Sequence, residues 1–180
     1  MHGLVSLLDA SHYRLVEELW HELERECGLA GVKKTPYPHF SWQIATDYPE
    51  PETGLAIRAL ASQMRPFKVH TDGLGIFTGP NPVVYIPILR SPKLDQLHAR
   101  LWQQSQASAA GLSLQYNPHK WMPHITLVSG AENSKTLLCG LEMLAFRSFD
   151  WEIEVNNISF VSQIGKRRGT LSYRHDFFPG

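Results

Sequence analysis

The sequence contains two similar five-residue stretches, Pro-His-Phe-Ser-Trp at residues 38–42 and Pro-His-Ile-Thr-Leu at residues 123–127. Both follow the order proline, histidine, apolar residue, hydroxyl residue, apolar residue. A histidine followed two positions later by serine or threonine is common by chance, but two copies, each with a leading proline, are much rarer. The repeat therefore indicates an internal duplication, with one copy of the motif in each half of the chain.

The spacing inside each motif has a physical meaning if the motif forms a β-strand. Successive side chains of a strand point to opposite faces, so His39 and Ser41 share one face, and His124 shares a face with Thr126. The apolar residues between them point the other way, toward a core. Proline is tolerated at the first position of a strand because that position need not donate to the ladder. Each motif thus presents an imidazole and a hydroxyl together.

The order of predicted elements also repeats. The first half contains predicted strands at 4–8, 40–44, 67–77 and 83–89, with helices at 11–27 and from residue 51 onward. The second half contains a helix from residue 91 onward, a strand at 125–128, a helix at 134–145 and strands at 151–164 and 170–178. This pattern predicts an α+β fold of two pseudo-symmetric lobes of antiparallel sheet, with flanking helices around a central cleft. We expect a single bilobal domain over residues 1–180, with lobe 1 at about 1–90 and lobe 2 at about 91–180. The sequence leaves open whether the lobes exchange strands.

Composition restricts the class of partner and the compartment. Lys+Arg and Asp+Glu both number 17, so the formal net charge is zero, whereas proteins that follow a long nucleic acid along its backbone usually carry a basic excess. We therefore expect any nucleic acid to be met at an end, or as a small nucleotide. The two cysteines, Cys27 and Cys139, are too few for a disulfide-stapled secreted domain and are expected to be small buried thiols in helices. Without a membrane span or a signal peptide, a cytoplasmic location is predicted. We also expect a monomer.

Two facing imidazoles favour acid–base chemistry. An unperturbed histidine titrates near neutral pH, so one ring can accept a proton while the other donates one. Displacement at phosphorus needs such a pair, and the hydroxyls of Ser41 and Thr126 would hold the non-bridging phosphate oxygens. This chemistry requires neither metal nor cofactor. The alternative of a metal site draws on His119 and His124, with His70 and His98, but these residues form no recognisable zinc pattern.

The twin motifs in duplicated α+β halves resemble the two-histidine (2H) phosphoesterase superfamily, and within it the 2′,5′ RNA ligase-like and cyclic phosphodiesterase branch. The resemblance covers nearly the whole chain, including residues 74–77 after the first motif, the helix at 94–101 and a closing hairpin. It implies that His39 and His124 are catalytic and that Ser41 and Thr126 bind phosphate. This sequence departs from the usual His-x-Thr-x pattern in its first motif, where serine replaces the commoner threonine and Trp42 is bulkier than the usual aliphatic residue.

The resemblance implies a metal-independent phosphoesterase that acts on the 2′,3′-cyclic phosphate of an RNA 3′ end or of a small nucleotide, with reversible 2′,5′ ligation as a further activity. A cyclic phosphate on ADP-ribose is another candidate substrate. The alternative function is a non-catalytic module of the same fold that binds a nucleotide or an RNA end. The sequence does not fix which histidine is the acid.

Several side chains near the motifs are candidates for substrate binding. Aromatic rings can stack on a nucleobase, and basic groups can neutralise phosphate. For the aromatic residues the other interpretation is a place in the core, and for the run 166–168 it is a solvated turn. The aromatic candidates are Tyr37, Phe77, Tyr116 and Trp121. The basic candidates are Lys34, Lys120, Arg167 and Arg168.

Overall fold

The protein is described by a computed structural model, which covers residues 1–30, 32, 35–49, 51–106, 108–163 and 168–178. Within these residues the chain is an α+β structure. The helices are α1 (Ala10–Cys27), α2 (Glu52–Ala61), α3 (Pro92–Gln106) and α4 (Ser134–Ala145). The strands are β1 (His2–Leu7), β2 (His39–Ala45), β3 (Phe67–His70), β4 (Gly75–Phe77), β5 (Val83–Pro87), β6 (His124–Val128), β7 (Glu152–Val155), β8 (Asn157–Ser162) and β9 (Thr170–Asp176).

A seven-stranded antiparallel sheet organises the fold, in the order β4-β5-β6-β2-β1-β8-β9. The two motif strands, β2 and β6, are neighbours at its middle. A second, two-stranded sheet pairs β3 with β7. Each side of the large sheet contains strands from both halves of the sequence, because β4 and β5 join β6, whereas β8 and β9 join β1. The division into lobes near residue 90 stays a prediction.

The helix ends follow from local sequence. The carboxylate of Asp9 accepts a hydrogen bond from the backbone N–H of His12 and so caps the start of α1. Gly28 ends that helix in the left-handed conformation, with φ of 70°, which glycine adopts at little cost. Pro92 begins α3 after Ser91, whose hydroxyl accepts from the N–H of Leu94. These starts and stops agree with the sequence predictions for both helices.

Helices α1 and α3 pack on one face of the large sheet, and the two motif histidines lie on the opposite face. Val16, Leu19 and Leu23 of α1 and Leu94, Leu97 and Leu101 of α3 are buried in one hydrophobic core with the apolar residues of the two motifs. Those motif residues are Phe40, Trp42, Ile125 and Leu127, each 1% exposed or less. Because a strand alternates its side chains, burying this set commits the histidines and hydroxyls to the opposite face.

Two segments that the sequence predicts as single strands are each divided in two. The segment 67–77 breaks at Gly73, with φ of 64°, so that β3 and β4 lie in different sheets. The segment 151–164 breaks at Asn156, between β7 and β8. Hydrophobic alternation does not detect such a break, because the pattern continues on either side of the turn residue.

The expectation of two free thiols is wrong. Cys27 and Cys139 form a disulfide that joins the end of α1 to α4, with a Cα–Cα distance of 5.8 Å. The two cysteines lie 112 residues apart in the sequence, so only the packing of α1 against α4 brings them together. No helix among the described residues is long and apolar enough to cross a membrane.

Candidate active site

The four motif side chains form one polar cluster on the open face of the sheet. Phe40 of β2 pairs with Ile125 of β6 in antiparallel register. This register places His39 opposite Thr126 and Ser41 opposite His124, with each imidazole next to a hydroxyl of the other motif. Directly opposed residues of antiparallel strands have Cβ atoms about 4.5–5.5 Å apart. The sequence predicted that the two pairs face each other if the halves pack about a pseudo-twofold axis, and in the structure the two pairs lie on adjacent strands.

Apolar residues border this polar cluster on both sides. On β1, Leu7 is in register with His39 and Val5 with Ser41. On β5, Tyr85 is in register with Thr126 and Pro87 with His124. Val5, Leu7 and Tyr85 are each 6% exposed or less. The imidazoles therefore stand in a polar strip between two walls of low polarity.

Both imidazoles are held by the same type of hydrogen bond. The Nδ1–H of His39 donates to the carbonyl of Tyr37 at 2.5 Å, and the Nδ1–H of His124 donates to the carbonyl of Met122 at 2.7 Å. A carbonyl oxygen only accepts, so each neutral ring carries its proton on Nδ1. The Nε2 lone pair of both rings is therefore left to react. In each motif the acceptor lies two residues before the histidine, on the other side of the proline.

Burial lowers the pKa of both histidines below the ordinary value for the side chain. For His39, desolvation lowers the pKa, the hydrogen bond to Tyr37 raises it, and the nearby His124 lowers it further. For His124, desolvation lowers the pKa and the hydrogen bond to Met122 raises it. A lowered pKa leaves each imidazole mostly neutral at pH 7, which suits a general base.

The two hydroxyl residues are anchored by neighbouring aromatic side chains. The carbonyl of Ser41 accepts from the indole N–H of Trp121, at 2.9 Å. The carbonyl of Thr126 accepts from the indole N–H of Trp20 on α1, at 3.1 Å. The backbone of the second motif is thereby fixed from the helix side of the sheet.

A cavity of about 660 Å³ opens beside His124. Of the predicted substrate-binding residues, Phe77, Tyr116, Lys120 and Trp121 line it, together with Thr78 and Met122. Phe77 contacts the imidazole of His124 edge to face, at 4.9 Å between ring centroids. Lys120 is exposed, whereas Trp121 is 1% exposed and so forms part of the wall.

Tyr37 is not among the residues that line this cavity. Tyr37 packs against the small apolar cluster of Val5, Leu7 and Val161, on the His39 side of the site. Its hydroxyl accepts from the N–H of Leu171 at 3.4 Å. Arg167 and Lys34 lie outside the described residues.

Tyr85 and His98 belong to the surroundings of the site and were missed by sequence reasoning. Tyr85 stacks on Phe77 at 4.1 Å and lies 5.1 Å from the imidazole of His124. Its ring occupies the space of a missing side chain, since a Cβ on Gly75 would come within 2.3 Å of it. Tyr85 can be identified once β5 is paired with β6, because strand alternation then puts its side chain on the same face as Thr126. His98, on α3, is 1% exposed and has no sequence signal that separates it from an ordinary core residue.

The remaining histidines were considered above as ligands of a metal site. Within the described parts of the chain, no group of three or more His, Cys, Asp or Glu side chains could hold a metal ion. His119 is exposed on a loop, and His70 lies on β3, 3.9 Å from a carboxylate oxygen of Glu152.

The fold and the paired histidines define a class, the two-histidine phosphoesterases. The family described as the 2′-5′ RNA ligase superfamily matches residues 9–167. The chain belongs to this superfamily.

Solved structures show the same fold over nearly the full length. Escherichia coli LigT, solved in complex with 3′-AMP, shares 19% identity with a TM-score of 0.61, over 98% of this chain and 99% of LigT. The Thermus thermophilus protein TT0787 shares 17% identity with a TM-score of 0.67, over 98% of this chain and 97% of its own. A further structure, described as a phosphoesterase, shares 17% identity with a TM-score of 0.54, over 97% and 98% of the two chains. Among curated protein sequences, none is significantly similar to this chain.

Proposed function

We propose that this protein is a metal-independent phosphoesterase that opens 2′,3′-cyclic phosphates, on RNA 3′ ends or on small nucleotides, by acid–base catalysis with His39 and His124. The observation that carries the proposal is the matched tautomer of the two imidazoles. Both are fixed through Nδ1 and leave Nε2 to react, next to a hydroxyl of the opposite strand. A protein that only bound a nucleotide would not need two groups prepared for proton transfer.

The proposed reaction uses each group once. One neutral imidazole takes a proton from water through Nε2 as the water oxygen attacks phosphorus. The bond from phosphorus to one ribose oxygen breaks, and the other imidazole, protonated, gives its Nε2 proton to that oxygen. The product is a phosphomonoester with a free ribose hydroxyl. Ser41 and Thr126 donate hydrogen bonds to the non-bridging oxygens as charge shifts onto them.

The same groups support 2′,5′ ligation when a 5′-terminal hydroxyl replaces water as the nucleophile. Its oxygen bonds to phosphorus, the bond from phosphorus to the ribose 3′ oxygen breaks, and that oxygen takes the proton of the second imidazole. By microscopic reversibility the same step runs backwards from the 2′,5′ linkage to the cyclic phosphate, which is the basis for proposing reversible ligation. The cavity beside His124 supports a nucleoside as the part of the substrate that is bound. It has an aromatic side chain, Phe77, at the catalytic ring and an exposed cation, Lys120, at its lining. The presence of 3′-AMP in the LigT structure agrees with a nucleotide ligand.

The test is turnover of 2′,3′-cyclic AMP and of a short RNA with a 2′,3′-cyclic end, in the presence of EDTA. We expect a phosphomonoester product at a rate that EDTA does not reduce. Loss of turnover in EDTA, with recovery on addition of a divalent metal, would contradict the metal-independent mechanism. Identifying the ribose oxygen that retains the phosphate, across RNA, mononucleotide and ADP-ribose substrates, then names the substrate and the product isomer.

Calorimetry with 3′-AMP distinguishes an enzyme from a binding module. Tight binding of 3′-AMP without turnover of any of these cyclic substrates would identify the protein as the non-catalytic member of its family. We also propose a monomer, which size-exclusion chromatography with light scattering tests. The cytoplasmic location suggested by the cysteine count stays a prediction, and the disulfide counts against a reducing compartment.

A further inference from the structure

The line between β2 and β6 is the weakest ladder in the large sheet, although the catalytic residues lie along it. We call this boundary the seam; β2 (His39–Ala45) forms one side of it and β6 (His124–Val128) forms the other. A single residue pair, Phe40 with Ile125, registers across it, whereas six pairs register between β1 and β2. One catalytic histidine stands on each side. The separation of the two imidazoles therefore depends on whatever else holds the seam closed.

Two side chains supply hydrogen bonds to β2 just beyond that single pair. The indole N–H of Trp121 donates to the carbonyl of Ser41 at 2.9 Å. The Nε2–H of His98 donates to the carbonyl of Trp42 at 3.0 Å. Trp42 is the extra residue of a β-bulge, because the register of β1 passes from Ser41 directly to Gln43. Its carbonyl thus accepts from the side chain on α3.

The two donors are themselves stacked on each other. The rings of His98 and Trp121 lie 3.8 Å apart at an angle of 9°, and Trp121 also stacks on Trp42 at 5.4 Å. All three side chains are 1% exposed or less. Trp121 precedes the second motif by two residues, and Trp42 is the last residue of the first. The stack therefore joins the two motifs through α3.

Burial keeps the His98 ring neutral. Desolvation lowers the pKa of His98 to about 4, against the opposing effect of the hydrogen bond to Trp42. The nearby charge of Arg90 lowers the pKa as well, and that of Asp95 raises it. A neutral ring with its proton on Nε2 is the form that both donates to a carbonyl and stacks closely on an indole.

We propose that His98 is a positioning residue of the active site: together with Trp121 it clamps the seam between β2 and β6 and so sets the distance between His39 and His124. This inference rests on the proposed function for its kinetic readout. Loss of the clamp leaves the carbonyls of Ser41 and Trp42 without these two donors, and the strand moves away from β6 to reach water. The imidazoles then separate, while the cavity beside His124 is retained.

The test uses variants that remove the two properties of His98 in turn. His98→Phe keeps a ring and loses the donor, and His98→Gln keeps an N–H donor and loses the ring. Trp121→Phe removes the hydrogen bond to Ser41 and keeps a smaller aromatic ring in the stack. The matched control is Leu101→Ala, which truncates a side chain that is 1% exposed on the same helix and has no group that could donate a hydrogen bond to β2. The readouts are kcat, KM, the melting temperature and the pKa of His39 by NMR titration.

We expect His98→Phe to lower kcat by about tenfold to a hundredfold, the cost of misplacing a catalytic group by roughly an ångström, with KM within about twofold. The pKa of His39 should rise toward its ordinary value, because the ring gains solvent and loses the influence of His124. His98→Gln should recover part of kcat, and Trp121→Phe should lower it. Leu101→Ala should lower the melting temperature while leaving kcat and the His39 pKa unchanged.

The proposal is overturned if the His98 and Trp121 variants match Leu101→Ala in kcat and in the His39 pKa. If His98→Phe does not fold, His98→Gln and Trp121→Phe decide by the same criteria. The NMR readout does not require turnover. A wild-type protein without activity therefore refutes the proposed function, whereas an unchanged His39 pKa in the variants refutes the clamp.

Discussion

The two motifs are alike in their polar atoms and differ in what surrounds them. On β2, His39 borders a small pocket of about 70 Å³, next to the apolar cluster of Val5, Leu7 and Val161. On β6, His124 borders a cavity of about 660 Å³ and contacts the rings of Phe77 and Tyr85. Both imidazoles donate from Nδ1 to the carbonyl two residues earlier.

The different surroundings of the two motifs suggest different roles for the motif residues and for their neighbours: the motifs supply the proton-transfer groups, and the neighbouring strands supply the substrate-binding surface. The duplicated motif supplies two equivalent proton-transfer groups, which is what a symmetric displacement at phosphorus requires. The strands outside the motifs differ, because β5 brings an aromatic ring beside His124 where β1 brings aliphatic residues beside His39. We therefore expect the nucleoside to lie on the His124 side, with the phosphate over the seam.

The largest expected effect tests whether the two motifs are equal in chemistry. His39→Ala and His124→Ala should each lower kcat by about 10² to 10⁴, since general acid–base catalysis contributes that much. The turnover rate with saturating 2′,3′-cyclic AMP as the only substrate measures both losses of kcat. A variant of either histidine that retains wild-type kcat would show that one motif is structural and would break the two-base mechanism.

The next largest effect concerns the disulfide between α1 and α4, which stabilises the helices packed behind β6. The disulfide ties α4 to α1, the helix whose Trp20 holds the carbonyl of Thr126. Closing so long a loop stabilises a fold by about 2–4 kcal/mol, chiefly by restricting the unfolded chain. Cys27→Ser with Cys139→Ser should therefore lower the melting temperature by roughly 5–15 °C. Scanning calorimetry measures the shift, and dithiothreitol should reproduce it in the wild type and leave the double variant unaffected.

A smaller effect tests the asymmetry in binding. Phe77→Ala should weaken 3′-AMP binding by about fivefold to a hundredfold, because base stacking on an aromatic ring contributes about 1–3 kcal/mol. Tyr37→Leu, the matched change beside His39, should leave the dissociation constant within about twofold while keeping the apolar contacts of that side. Calorimetry of both variants gives the comparison. Equal losses of affinity, or a greater loss for Tyr37→Leu, would contradict binding of the nucleoside on the His124 side of the seam.

The smallest effect is on the pH profile. Catalysis needs one protonated and one neutral imidazole, and burial holds the pKa of both below the ordinary value. Raising the pH through neutrality therefore removes the required proton, so kcat/KM should fall by up to about tenfold between pH 7 and pH 8. Replacing His124 with Gln should raise the pKa of His39, because the charge that lowers it is gone. A profile that rises over this range would contradict the acid–base assignment.

Much of the site is readable from residue type and spacing. The alternation in 38–42 and 123–127 identifies the four polar residues and the face they share. The sequence also offers Ser11 or Asp9 as the cap that begins α1, and the structure uses Asp9; Gly28 and Ser91 predict the end of α1 and the start of α3. Contacts between distant segments leave no such trace. His98 has the sequence context of any core histidine on a helix, and Cys27 and Cys139 resemble two isolated buried thiols until α1 packs on α4.

Strand periodicity and the duplicated motif act within a few residues, and for that reason the amino-acid sequence identifies the two candidate histidines, their hydroxyl partners and the strands that carry them. Only the folded chain shows that β2 and β6 are adjacent, that β5 and β1 give the two imidazoles different neighbours, and that Trp121 and His98 bond to the carbonyls of the first motif. These features depend on strand order and register, which are set by burying a common core and cannot be derived from local periodicity.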